Sequence, residues 1–235
     1  MIILLLIVKH FIVLSKEILN SLTDNFNDFP EMFEDYDKYH SNVSTGKLLR
    51  FELIKNWVIP DSTILDVGVG DGLMSELFVK NKNASILGMD ISNVACEKAK
   101  ERGIPVVVKD INNGLCLNED EFYDYILLIE VIEHTIYPQK ILQDALAHCK
   151  KGVIVTIPNS AYIKWRIQLM RGFSPRQSFT HLHYWSINDF KIFCRKLDIE
   201  ILDSKFSLPP WLLRFNNLLA WQQCWLLSPK LKLEV

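Results

Sequence analysis

The chain contains no CxxC pair, no histidines at zinc-ligand spacing and no Gly-Lys-Ser/Thr after a glycine-rich turn. The first two absences exclude a zinc ribbon or finger, and the third excludes a Walker-type phosphate loop. Nothing repeats internally and no segment is low in complexity, so a solenoid is not expected. A basic excess is also missing: the formal net charge is -2 and the pI is near 6.3, which argues against nucleic acid as a partner. Five unpaired-looking cysteines fit reduced, mostly buried thiols in a cytoplasmic protein. The one long apolar run, Ile2 to Leu14, is interrupted by Lys9 and His10. It falls short of the roughly 20 residues of a spanning helix and lacks a cleavage site. It reads as an extra helix packed on the domain, or as a leader ahead of a start at Met32, with membrane contact the lesser alternative.

What is present is enough apolar sequence for one sizeable core, 49% of 235 residues. From Ser62 onward, short β-branched runs alternate with helical patterns, as in a parallel α/β sheet. The strands predicted are 63–67, 85–89, 105–109, 123–129 and 153–157, with helices over 73–81, 93–102 and 138–148. Ser92 is the expected cap of the second helix. Beyond Pro158, "AYIKWRIQLMRG" has helical spacing and "FSPRQSF" reads as a loop. Ser186 and Asp189 then stand in capping-box positions ahead of another helix. A final strand pair, 199–206 and 220–227, is joined across the turn region at Pro209-Pro210.

The stretch "ILDVGVGDG" sets Gly68, Gly70 and Gly72 at alternate positions after a strand ending in Asp66. A dinucleotide fingerprint needs its third glycine one residue later, and an acid at Asp66 would repel a pyrophosphate. It suits a cofactor with a cationic head. Asp90, at the tip of the next strand, can accept from both hydroxyls of a ribose, and Asp110, after the third, lies where an adenine amino group would come. Together with Ile91 and Ile111, which follow these acids, the residues outline one crevice at neighbouring strand tips.

On "LDVGVGDG", Asp90 and Asp110 the chain resembles the class I S-adenosylmethionine-dependent methyltransferases, over roughly Thr45 to Leu227. Within them, "IPVVVKDINNGL", "YDYILLIEVIEH" and above all "VIVTIPNSAYIKWRIQLMRGFSP" are similar to the MetW-like branch. Val69 departs from the commoner cysteine or serine. The resemblance implies a Rossmann-like α/β fold with a seven-stranded, mostly parallel sheet, helices on both faces and the last strand antiparallel. It implies S-adenosyl-L-methionine as cofactor and methyl transfer to a small acceptor, with oxygen the expected atom. It leaves open a catalytically silent regulatory partner of a homoserine acyltransferase in methionine biosynthesis. Residues 45–235 would form the methyltransferase domain with a lid over 159–184, and residues 1–44 a leader and arm.

In such an enzyme the protein positions two reactants and keeps the nucleophile unprotonated. At the fourth strand tip, "IEVIEH" supplies Glu130, Glu133 and His134. Two carboxylates and an imidazole can hold a divalent ion, but the resemblance implies no metal, with Glu130 beside the cofactor and Glu133 shaping the site. His181, which the resemblance sets at the acceptor pocket, and His134 are the candidate general bases. His183 lies next to that pocket. Between Asp144 and Asp189 there are Lys150, Lys151, Lys164, Arg166, Arg171 and Arg176 and no acid. Lys164, Gln168 and Arg171 would form a polar stripe opposite Ile163, Ile167 and Met170, so that the lid holds an anionic acceptor. The acidic arm "DNFNDFPEMFEDYD" would bring Tyr39 and His40 over the cleft.

Overall fold

The computed structural model describes residues 45–173, 178 and 180–229. The apolar leader, the acidic arm with Tyr39 and His40, and Arg176 lie outside the described residues. The elements are α1 (Thr45–Ile54), β1 (Thr63–Val67), α2 (Leu73–Lys82), β2 (Ser85–Asp90), α3 (Asn93–Glu101), β3 (Val106–Val108) and β4 (Tyr123–Ile129). They continue with α4 (Pro138–Ala147), β5 (Cys149–Pro158), α5 (Ile163–Met170), α6 (Ile187–Lys196), β6 (Ile199–Phe206), α7 (Asn216–Leu219) and β7 (Gln222–Pro229). Among the described residues, no helix is long and apolar enough to cross a membrane.

The seven strands form one sheet in the order β3-β2-β1-β4-β5-β7-β6. The neighbours from β3 to β5 are parallel, whereas β7 is inserted antiparallel to both β5 and β6. This is the Rossmann-like arrangement expected from the sequence. Central strands are apolar on both faces because both faces are covered. Leu65, Val67, Ile126, Leu128, Val153 and Val155 pack against α4 and α6 on one side. Ile64, Leu127, Tyr125 and Ile154 meet Phe51, Ile54 and Phe78 of α1 and α2 on the other.

Local chemistry sets the helix starts. The Ser92 hydroxyl accepts from Ala95 N at the head of α3, and Ser186 and Asp189 form the reciprocal capping box of α6. Pro138 opens α4, where a missing N–H costs nothing.

Four expectations shift. β3 is shorter than 105–109, since it is an edge strand with Val107 and Val108 exposed. β5 begins at Cys149 rather than Val153, because Tyr123 of β4 pairs with Cys149. Lys150 and Lys151 therefore belong to a strand, and Lys151 bonds Asp124 at 3.1 Å. They stand at the opposite end of the sheet from the glycine turn, so they are not part of a basic lid. The last strand starts at Gln222 because 210–215 and Asn216–Leu219 wind into helical turns. Finally, α5 has no buried residue, and Met170, expected on its apolar side, is 79% exposed. The predicted division into apolar and polar faces is not what orients this helix.

Candidate functional site

The glycine turn joins β1 to α2. Gly68, Gly70 and Gly72 all have positive φ, 72°, 56° and 75°, a region open to glycine at little cost. Space is equally tight: a Cβ on Gly68 would stand 2.5 Å from Val131 Cγ2, and one on Gly72 2.9 Å from Ala99 Cα and Cβ. The turn thus abuts the residues after β4 on one side and α3 on the other. Gly72→Ala combines a strained φ with overpacking, and should cost roughly 3 kcal/mol of stability in urea titration. A change under about 1 kcal/mol would mean that the α2–α3 contact yields freely.

Asp90 ends β2 facing this turn. Its Oδ2 accepts from Gly70 N and its Oδ1 from Ser92 N, each at 2.9 Å. One carboxylate therefore braces both the glycine turn and the head of α3. Ile91, beside it, is 58% exposed and gives the rim an apolar wall. Asp110 follows β3, and its Oδ1 accepts from both the backbone and the side-chain amide of Asn112 at 2.9 Å. Ile111 packs against the core below.

Asp66, whose charge the sequence reading offers to a cationic cofactor head, does not stand open at the strand tip. Its side chain is buried on the α2 side of the sheet, where Ser75 Oγ donates to it at 2.5 Å. Burial pushes its pKa up to about 7, helped by the charge of Asp90 and opposed by Ser75 and Lys47. Asp71, in the turn itself, pairs with Lys47 of α1 at 2.8 Å. Burial would raise its pKa, but the Lys47 hydrogen bond and charge hold it below the usual range.

Beyond β4 the chain turns sharply, with Glu130 at φ 58°. The Glu130 carboxylate accepts from Arg50 Nη2 at 3.1 Å, Gln222 Nε2 at 2.6 Å and Thr156 Oγ1 at 3.2 Å. Arg50 Nε in turn donates to Gln222 Oε1 at 3.2 Å. Sequence reasoning missed Arg50, Gln222, Lys47 and Ser75, whose partners are distant in the chain and leave no local pattern. The Asn159 side chain is buried, donates to Ala220 O at 2.7 Å and accepts from Ala161 N, tying the end of β5 to the residues just before β7.

A short 3₁₀ turn, Ile132–His134, carries Glu133 and His134. Glu133 is 1% exposed, and among the described residues neither carboxylate oxygen has a hydrogen-bond partner. Burial, then the nearby Glu130 charge, push its pKa well above the ordinary range. The Glu133 carbonyl accepts from Leu182 N at 2.7 Å and His183 N at 3.1 Å, which pins the 180–185 segment over the turn. His181 thereby meets His134 edge to face, with ring centroids 4.6 Å apart. Ligand atoms of Glu133, His134 and His181 all lie within 4.8 Å of one another. Burial lowers the pKa of both imidazoles, His181 to about 4 with the charge of His134 contributing. His183 instead stacks on Trp185 at 5.3 Å, and its buried Nε2 has no hydrogen-bond partner among the described residues. Glu130 and Glu133 remain neighbours, but Glu130 is held by Arg50, Gln222 and Thr156, and the side chain that meets His134 is His181. Lys164 lies half-buried on α5, 5.7 Å from the Trp165 ring, and Arg171 is exposed at its end.

Similar folds are found among solved structures. A SAM-dependent methyltransferase from Archaeoglobus fulgidus aligns with TM-score 0.62 and 17% identity, over 85% of this chain and 99% of that one. A putative methyltransferase of Haloferax volcanii, solved in complex with the Trm112 methyltransferase activator, aligns with TM-score 0.60 and 13% identity over 83% and 99%. The architecture is the class I methyltransferase fold. Among curated proteins, a mitochondrial ubiquinone biosynthesis O-methyltransferase of Candida albicans is 28% identical over 132 residues, 52% of this chain and 40% of that protein. The chain spans about half the length of the curated relatives it matches. Residues 49–209 match the family model described as methionine biosynthesis protein MetW, and the chain belongs to that family.

Proposed function

We propose that the chain binds S-adenosyl-L-methionine in the crevice between the glycine turn and Asp90, and transfers its methyl group to a small anionic acceptor, at oxygen. The observation that carries this reading is the brace at Asp90. Its two oxygens, fixed by Gly70 N and Ser92 N, keep further lone pairs for the hydroxyls of a ribose. The residues fit such a group: the glycines allow close backbone approach, Ile91 offers an apolar face for a base, and Asp110 stands at the next strand tip.

When bound, the cofactor supplies a methyl carbon already activated by a sulfonium. What remains for the protein is to orient the acceptor and take its proton. His134 Nδ1 faces the Thr180 carbonyl at 3.1 Å, so that nitrogen carries the proton and Nε2 keeps a lone pair. With His181 beside it, this imidazole is a candidate base. The lid over 159–184, carrying Lys164, Arg166 and Arg171, offers cationic groups for an anionic acceptor, with His183 at its edge.

The test is product formation: incubation with cofactor and metabolite extract should accumulate S-adenosylhomocysteine, and His134→Gln and His181→Asn should each lower turnover without weakening cofactor binding. Undiminished turnover in both variants would overturn the assignment of the bases. A second reading, a catalytically silent partner of a homoserine acyltransferase, is favoured by the exposed apolar side chains of the lid. Leu169, Met170 and Leu182 are 61%, 79% and 56% exposed. It predicts tight cofactor binding, no product, and co-purification with the acyltransferase.

A further inference from the structure

We propose that Glu133, His134 and His181 form a binding site for one divalent transition-metal cation of the Zn²⁺ or Co²⁺ kind, beside the glycine crevice. Three observations converge on it. The Glu133 carboxylate is 1% exposed, yet among the described residues neither of its oxygens has a hydrogen-bond partner. Buried polar atoms ordinarily have a partner. A cation would supply one to the carboxyl oxygens and draw the group, which burial alone keeps protonated, into its ionised form.

His134 is oriented as a ligand. Its Nδ1–H donates to the Thr180 carbonyl, leaving the Nε2 lone pair for coordination, and this is the outer hydrogen bond that metal-bound imidazoles ordinarily make. His181 is brought to the same point from a segment that begins 46 residues beyond His134, at Thr180, because Leu182 N and His183 N are both bonded to the Glu133 carbonyl. The ligand atoms already lie within 4.8 Å of one another. Metal bonds of about 2.0–2.1 Å require their separation to fall to roughly 3.4 Å, a shift that side-chain torsions can supply.

The donor set chooses the metal. Two imidazoles and one carboxylate suit Zn²⁺ or Co²⁺ better than Mg²⁺, which prefers oxygen ligands in octahedral array. Glu130 is not needed, since Arg50, Gln222 and Thr156 already satisfy it. Three protein ligands leave a position for a water or for an acceptor hydroxyl, whose acidity the cation would raise. That use of the site rests on the methyl-transfer reading and would replace the base role of the two imidazoles. The site itself does not depend on it.

The test uses the full chain after chelator treatment, titrated with Co²⁺ and with Zn²⁺ by calorimetry and metal analysis. Co²⁺ should add an intense visible d–d absorption at one ion per chain. His181→Asn and Glu133→Gln should each weaken Zn²⁺ binding more than about 100-fold, beyond the loss expected for an outer partner alone. Circular dichroism and S-adenosylhomocysteine binding by the metal-free variants report their folding, and His181→Asn, at a half-buried position, serves if Glu133→Gln does not fold. Absence of stoichiometric binding, or equal binding by wild type and folded variants, overturns the site. Metal binding without S-adenosylhomocysteine binding would overturn the cofactor reading and leave the site standing; the reverse result would do the opposite.

Discussion

Asp90→Ala should abolish measurable binding of S-adenosylhomocysteine while the chain remains folded. The wild-type carboxylate accepts two backbone N–H groups, from Gly70 and Ser92, and in the proposed complex it also accepts from ribose hydroxyls. Hydrogen bonds to a charged group contribute about 1.5–3 kcal/mol each. Losing two ribose contacts therefore lowers affinity by about 100-fold at the least and by roughly 10⁴-fold at the most, and the unbraced glycine turn adds to that. Asp90→Asn should fall between the two, since an amide keeps one acceptor oxygen but turns an NH₂ toward the other N–H donor. Calorimetry decides the matter. Equal affinity of wild type and Asp90→Ala would place the cofactor elsewhere.

The second large effect concerns pH. Asp66 titrates near 7 in the folded protein, against 3.8 when unperturbed, chiefly because it is buried. Between those values the native state holds a proton that the unfolded chain has lost, so this group's contribution is intact below about 4 and is withdrawn as pH rises through about 7. The full span corresponds to about 4 kcal/mol. Asp66→Asn keeps an acceptor for the Ser75 hydroxyl and removes the titration. Its urea midpoint should fall less steeply from pH 5 to 8 than that of the wild type, the remaining slope coming from groups such as Glu133, and it should be the more stable protein at pH 8. A wild type and variant with parallel pH profiles would show that Asp66 does not titrate in this window.

Much of the scaffold could be read from local chemistry. Ser92 and the Ser186/Asp189 pair capped the helices expected of them, because capping depends on residues three apart. Buried parallel strands were visible as β-branched runs. Lys150 and Lys151 share an acid-free stretch with Lys164 and Arg171 yet stand at the far end of the sheet, because charge along the chain carries no information about which end of a sheet a residue occupies. Met170 defeated the helical periodicity of α5, none of whose described residues is buried.

The site was legible in part for the same reason. The glycines, Asp90 and the E-x-x-E-H segment are contiguous signals. The clamp of Glu130 by Arg50 and Gln222 joins residues up to 172 positions apart, and His181 reaches Glu133 only because backbone bonds carry its segment there. Contacts of that range are set by topology.

The placing of β7 between β5 and β6 has a consequence for biosynthesis. Arg50 leaves the ribosome early, Glu130 midway and Gln222 near the end, so the three can meet only once the hairpin of β6 and β7 has been threaded into the sheet. A nascent polypeptide stalled before residue 222 would carry the glycine turn without the clamp behind it, and the pocket would be complete only in a chain whose translation had passed that point.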